Sequence, residues 1–206
     1  HCNSPYRCDF SGHCWKHVPE YSAFNIARLR ANKKFDLYDK DAISFHDIPD
    51  DYPLNENQWM QVNSELNKES FIDQEAIQKF VGELNYPIYH LDFETFASAV
   101  PVFDGSRPYQ QMVFQYSLHI EHKAGQLDHR EYLAEVNGED PRIKFIEQMI
   151  YDCGDSGDVL VYNVGFERGK LFDLIEFSPK HKVPILKIID RLKDLMVPFR
   201  DRMYYT

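Results

Sequence analysis

The stretch Tyr86–Phe96, YPIYHLDFETF, decides how this chain is read, because it carries two carboxylates, Asp92 and Glu94, out of an apolar run. Ile88, Tyr89, Leu91 and Phe93 are β-prone and mostly apolar, so the run predicts a strand buried on both faces. Asp92 and Glu94 stand two apart, and residues two apart on a strand project to the same side. Neighbouring carboxylates repel unless a cation lies between them. Mg²⁺ and Mn²⁺ prefer oxygen ligands and suit that pairing. Taken alone, the pair also fits a strand end with two solvated acids.

Working outward, the next informative segment is residues 158–174, DVLVYNVGFERGKLFDL. It predicts a short apolar strand through Val159–Val161, a turn at 163–165, and a helix whose Phe166, Leu171, Leu174 and Ile175 share one buried face. Glu167 falls in the first turn of that helix, close enough to the strand end to join a site there. Taken alone, it is an acid favoured by the helix dipole. Taken with Asp92 and Glu94, the order is an acidic strand pair, a second strand, an Asn, a turn and an acid opening a helix.

At these residues the chain resembles a known family. LDFET followed by VYNVGFERGKL is similar to the first two motifs of the DEDD exonucleases, which have a ribonuclease-H-like fold. From about Cys2 to Thr206 the chain resembles the bacterial domain of unknown function 2779 family. The matching stretches are CNSPYRC, FDLYDKDAISFHDIP, YPIYHLDFETF, RPYQQMVFQYSLHI, DPRIKFIE and VLVYNVGFE. The DEDD resemblance implies that Asp92, Glu94 and Glu167 bind two Mg²⁺ or Mn²⁺ ions for 3′–5′ hydrolysis of DNA or RNA. On that reading Asp92 bridges both metals, Glu94 helps hold the metal that activates water, and Glu167 ligates the second. One metal lowers the pKa of water and the other stabilises the leaving oxygen. Phe93, Thr95, Phe96 and Asn163 are then candidates to contact the terminal nucleotide, by stacking or through backbone groups. Packing beside the strand is the other reading of the aromatic residues.

Two departures from the DEDD pattern matter. The family usually has Asp in the second motif, where this chain has Glu167, one methylene longer. The third motif, a His or Tyr with an Asp, has no copy before Thr206. Asp190, Asp194 and Asp201 come too early, and Asp194-Leu195 better matches the acid-led strand that follows motif two. The expectation is therefore a catalytic domain truncated at its C-terminus, weak or inactive by itself. A non-catalytic module that binds nucleic acid or protein on a degenerate nuclease fold is the alternative.

The N-terminus carries a separate signal. Cys2, Cys8 and Cys14 are spaced C-x5-C-x5-C, with His1, His13 and His17 nearby. Three thiols crowded in this way suit a metal centre better than an extracellular disulfide framework. They supply most of a zinc or iron–sulfur site. CNSPYRCDFSGHCW also resembles the C-terminal cysteine cluster of RecB-like nucleases, which carry a [4Fe–4S] cluster. That resemblance implies that the chain begins at the tail of a RecB-like region, and a first residue other than Met agrees with it. A redox protein centred on these cysteines is a further rival. Cys153, in YDCGDSG, reads as an ordinary structural residue.

Composition sets the outer limits. The chain has 206 residues, 43% of them hydrophobic and 15% aromatic, ample for a core and unlike a disordered chain. No run approaches the ~18 apolar residues of a membrane span, and the first residues lack a signal-peptide core, so the expected location is the cytoplasm. A net charge of −10 argues against a nucleic-acid coat protein. It is compatible with a nuclease whose metals meet the phosphate. Basic residues gather at Arg28, Arg30, Lys33 and Lys34, and again at Lys180, His181, Lys182, Lys187, Arg191 and Lys193. Each group fits either a phosphate track or a solvated helix face.

Element by element, helices are expected over 22–31, 56–67, 73–84 and 141–151, the last capped by Asp140. Residues 35–37 lead into a loop and 101–109 form another. Strands are expected over 111–122, with Met112, Phe114, Tyr116, Leu118 and Ile120 alternating, and over 131–133. The fold class is α/β, a ribonuclease-H-like mixed sheet flanked by helices over 86–206. It follows a mainly helical segment over 1–85 that carries the cysteine cluster at 1–17.

Overall fold

The computed structural model describes residues 6–206, so the expectations placed on His1 and Cys2 lie outside the described residues. The chain begins with helices α1 (Ser11–Cys14), α2 (Ala31–Asp39) and α3 (Glu56–Asn67), strand β1 (Phe71–Ile72) and helix α4 (Gln74–Gly82). Strands β2 (Ile88–Phe96), β3 (Met112–Lys123) and β4 (Gln126–Leu133) follow. Next come α5 (Arg142–Cys153), β5 (Asp158–Val161), α6 (Val164–Phe177), α7 (Lys182–Asp190) and β6 (Leu192–Asp194), and the chain closes with α8 (Val197–Arg200) and β7 (Tyr204–Tyr205). It divides into two compact units, residues 1–74 with 201–206, and residues 75–200.

In the larger unit β2 sits at the centre of a five-stranded sheet of order β4-β3-β2-β5-β6. β3 runs antiparallel to both of its neighbours, whereas β2, β5 and β6 are mutually parallel. Counted by appearance this is 3-2-1-4-5 with only the second strand reversed, the mixed order expected of a ribonuclease-H-like sheet. Alternation decides its faces. Tyr89, Leu91 and Phe93 of β2 and Tyr116, Leu118 and Ile120 of β3 form one core with Phe145 and Met149 of α5, Leu171 and Leu174 of α6, and Ile185 and Ile188 of α7. Burying a side chain the size of Phe145 stabilises by about 2–3 kcal/mol. Cys153 is fully buried in this cluster, as its structural reading requires.

The other face of β2 differs from expectation. Ile88 is buried and His90 half-buried, but Asp92 and Glu94 are exposed. The strand is therefore covered along its length on one face only, because α5, α6 and α7 all contribute to the core on that face. Its second face opens toward the acidic end.

Two contacts hold the strand starts together. Gly157, just before β5, has φ +79°, and a Cβ there would lie 2.0 Å from the Pro87 carbonyl oxygen. The backbones of β2 and β5 meet where only glycine fits. Arg191, just before β6, donates to the carbonyls of Cys153 (3.0 Å), Gly154 (2.8 Å) and Ser156 (2.6 Å), and its guanidinium also lies over the Tyr89 ring. Asp158 adds a carboxylate that accepts from the Asn85 backbone N–H at 2.8 Å.

The smaller unit has its own core of Ile26, Leu29, Leu37, Phe45, Tyr52 and Val62. The helix expected over 22–31 is only a single 3₁₀ turn, Ala23–Asn25, because Arg28 takes φ +55° and breaks the run. The helical stretch begins later, so residues 35–37 lie inside α2 rather than in a loop. α3 matches its expected span, with Asn55 and Gln58 forming a reciprocal capping box. β1 and β7 pair antiparallel, Phe71 opposite Tyr205.

Elsewhere β4 is longer than the expected 131–133, and α4 buries none of its residues. Asp140 accepts from the Arg142 backbone N–H at 3.0 Å, but it lies one residue before the N-cap, which is Pro141 rather than the expected Asp140, and the helix begins at Arg142. Among the described residues no helix is long and apolar enough to cross a membrane.

Gly157→Ala is expected to lower the unfolding free energy by about 2–5 kcal/mol, combining positive-φ strain with backbone overlap. Gly125 also has positive φ, but nothing lies within 4 Å of its added Cβ, and Gly125→Ala should cost only about 1 kcal/mol. Urea titration of the two variants checks the contrast.

Candidate functional site

The parallel register pairs His90 with Leu160, and β2 continues past it to Asp92 and Glu94. On the adjacent strand, β5 ends at Val161 and α6 starts at Val164, so the chain turns sharply. Asn163 makes the turn in the left-handed region, φ 68°, a conformation Asn tolerates better than most residues. Its backbone N–H donates to Asp194 Oδ1 at 3.0 Å. The same oxygen accepts from the Met196 N–H at 3.0 Å, and Arg200 donates to Oδ2 at 3.2 Å. Asp194, at the end of β6, thus ties the ends of β5 and β6 together and fixes where α6 begins.

That start places Glu167 in the first turn of α6, inside rather than outside the fold. It is 3% exposed, and its Oε2 has no hydrogen-bond partner. Burial is the main reason its carboxyl is pushed up from 4.5 to about 7, and the negative charges of Asp92 and Asp194 add to it. A backbone hydrogen bond opposes the shift in part. Carboxylates from β2, α6 and β6 therefore act on one another at one end of the sheet. A buried carboxylate with no counter-charge is costly to ionise, and a cation between Glu167 and Asp92 would remove that cost.

The structure brings only part of the expected set together. Asp92 faces Ser117 across the sheet and acts on Glu167, whereas Glu94 lies one rung farther out, exposed and opposite Gln115. Among the described residues no group of three or more His, Cys, Asp or Glu is placed to hold a metal ion together. Phe93 packs in the core with its ring centre 5.5 Å from that of Phe145. Thr95 is half-buried beyond a β-bulge, and Phe96 packs edge-on to Phe103 and Phe114. Asn163 is exposed.

At the other chemical signal, Cys8 and Cys14 are exposed free thiols, and Cys2 lies outside the described residues. The basic groups are largely engaged within the fold. Lys33 and Lys34 bond the carbonyls of Pro53 and Phe24. Lys180 and His181 lie beside Glu147, and Lys187 lies beside Asp155.

Asp194 is the residue that sequence reasoning set aside. Its sequence signal reads as an acid leading a strand at Asp194-Leu195, whereas in the fold it closes β6, Leu192–Asp194.

The sign of the Glu167 shift fixes a pH dependence. Between about 4.5 and 7 the folded chain keeps a proton that the unfolded chain has lost, so stability falls as pH rises through that window. Glu167→Gln stays neutral, and at pH 8 it should be more stable than the parent by up to about 3 kcal/mol. At pH 4 the two should unfold together. Urea titrations at the two pH values measure the difference.

The family described as Domain of unknown function (DUF2779) matches residues 89–206, more than half of the chain. No curated protein and no solved structure matches it. The matched segment runs from β2 to the last residue and contains Asp92, Glu94, Glu167 and Asp194. The chain belongs to the DUF2779 family.

Proposed function

We propose that this chain is a divalent-metal-dependent nuclease domain of DEDD type that hydrolyses phosphodiester bonds at the 3′ end of DNA or RNA. The observation that supports the reading is Glu167, whose buried, unpartnered oxygen sits within the charge field of Asp92 and Asp194. A protein retains an unsatisfied buried carboxyl at a cost of a few kcal/mol. Such groups concentrate at functional sites.

Mg²⁺ or Mn²⁺ held by Asp92, Glu94 and Glu167 would supply water activation and charge neutralisation at the phosphate. The chain's own residues prepare for it. Glu167 gives up its proton to become a ligand, Asp92 presents an exposed carboxylate beside it, and Asp194 holds the start of α6 through Asn163. The same reading assigns Cys2, Cys8 and Cys14 to a [4Fe–4S] or zinc site of a RecB-like region.

One observation favours a second reading, a non-catalytic binding module. Among the described residues the carboxylates do not converge into a set of three placed to hold an ion.

The deciding experiment is Mn²⁺-dependent digestion of end-labelled single-stranded DNA and RNA by the folded chain, beside Asp92→Asn. The nuclease reading expects slow stepwise shortening from the 3′ end at high enzyme concentration, as befits a domain weak by itself, abolished by chelator. It expects Asp92→Asn to lose more than the ~10–100-fold that second-shell changes cost. Binding of either polymer without cleavage, unchanged in Asp92→Asn, would establish the module instead.

A further inference from the structure

The open face of the sheet carries a second donor set that the carboxylate reading does not use. Register places His90 opposite His119 and His119 opposite His129, so β2, β3 and β4 contribute one histidine each to a single rung. Paired residues on adjacent strands point to the same face, and this is the face that presents Asp92. His119 and His129 are exposed, and their ring centres are 4.5 Å apart at 33°.

The neighbouring groups orient two of the rings. His129 Nε2 lies 3.2 Å from Ser117 Oγ, and His90 Nε2 lies 3.5 Å from Glu121 Oε2. An imidazole that gives one nitrogen to an outer partner leaves the other as a ligand, as metal-bound histidines usually do.

Charge on this face selects the ligand. On this face the alternate rungs from Ile88–Glu121–Leu127 to Glu94–Gln115–Leu133 carry the carboxylates of Asp92, Glu94, Glu121 and Glu131 and no Lys or Arg, Arg130 belonging to the opposite face with Leu118. Such a surface attracts cations. Imidazole donors prefer Zn²⁺, Cu²⁺ or Ni²⁺ to the oxygen-seeking Mg²⁺ and Mn²⁺. Two metal–nitrogen bonds of about 2.1 Å reach nitrogens up to ~4 Å apart, a separation that rotation of exposed rings with centres 4.5 Å apart supplies.

We propose that His119 and His129 form a binding site for a borderline divalent ion of the Zn²⁺ class. Among the described residues no third His, Cys, Asp or Glu completes the set, so water fills the remaining positions. The site is one rung from Asp92, yet it is chemically distinct and does not rest on the nuclease reading.

The test is calorimetric titration of Zn²⁺ into the full chain carrying Cys2→Ser, Cys8→Ser and Cys14→Ser, so that thiolates do not compete. One equivalent is expected to bind. His119→Ala and His129→Ala should each weaken it by at least about tenfold, a loss of ~1.4 kcal/mol. Asp92→Asn with Glu94→Gln should leave it within about threefold. Both histidines are exposed, and circular dichroism confirms that the variants fold. As a second readout, Zn²⁺ should shift the imidazole NMR signals of His119 and His129. Failure to bind Zn²⁺, binding indifferent to both histidine substitutions, or binding lost with the Asp92/Glu94 pair would each overturn the proposal.

Discussion

Everything at the acidic end of the sheet depends on the close approach of Gly157 to Pro87 at the opposite end. That contact sets the parallel register of β2 and β5, and Arg191 secures it by binding the carbonyls of the loop that leads into β5. Register in a sheet is all or nothing, since a slip of one residue turns every side chain to the other face. With His90 beside Leu160, the strand end carrying Asp92 projects past the point where β5 gives way to α6. The meeting of Asp92 with Glu167 is thus decided several residues away, by a glycine and an arginine that take no part in it.

The second organising fact is one-sided burial. Helices α5, α6 and α7 share one core with β2 and β3, and the polar alternation of the opposite face leaves it open. The chain can therefore display carboxylates and histidines on a rigid platform without burying them. Glu167 is the exception, since it approaches the strand end from the helical side and is enclosed there. Its buried oxygen without a hydrogen-bond partner costs stability that a solvated acid would not. Asp194 shows the opposite economy. Its carboxylate is satisfied by two backbone N–H groups and Arg200, so it holds the turn while adding negative charge near Glu167.

Much of this was legible in the residues. The strand bearing Asp92 and Glu94, the alternating strand β3, the helix α3, and the strand–Asn–helix passage to Glu167 all follow from local periodicity and turn chemistry. These signals are local because each element's hydrogen bonds close within or beside itself. The errors fell where local preference is weak. Residues 22–31 have a helical pattern, yet Arg28 adopts positive φ and the helix forms later. The second face of β2 looked apolar because Ile88 and Tyr89 adjoin, but they point to opposite sides.

What the sequence alone determined is therefore the order and type of most elements and the identity of three acids, because propensity and period act over a few residues. Which acids meet was decided only in three dimensions. Asp92 and Asp194 both act on Glu167 because β2, α6 and β6, separated by many residues, are brought to one end of the sheet by its register. The histidine rung has the same origin, with three residues unremarkable in their own segments placed side by side by two antiparallel pairings.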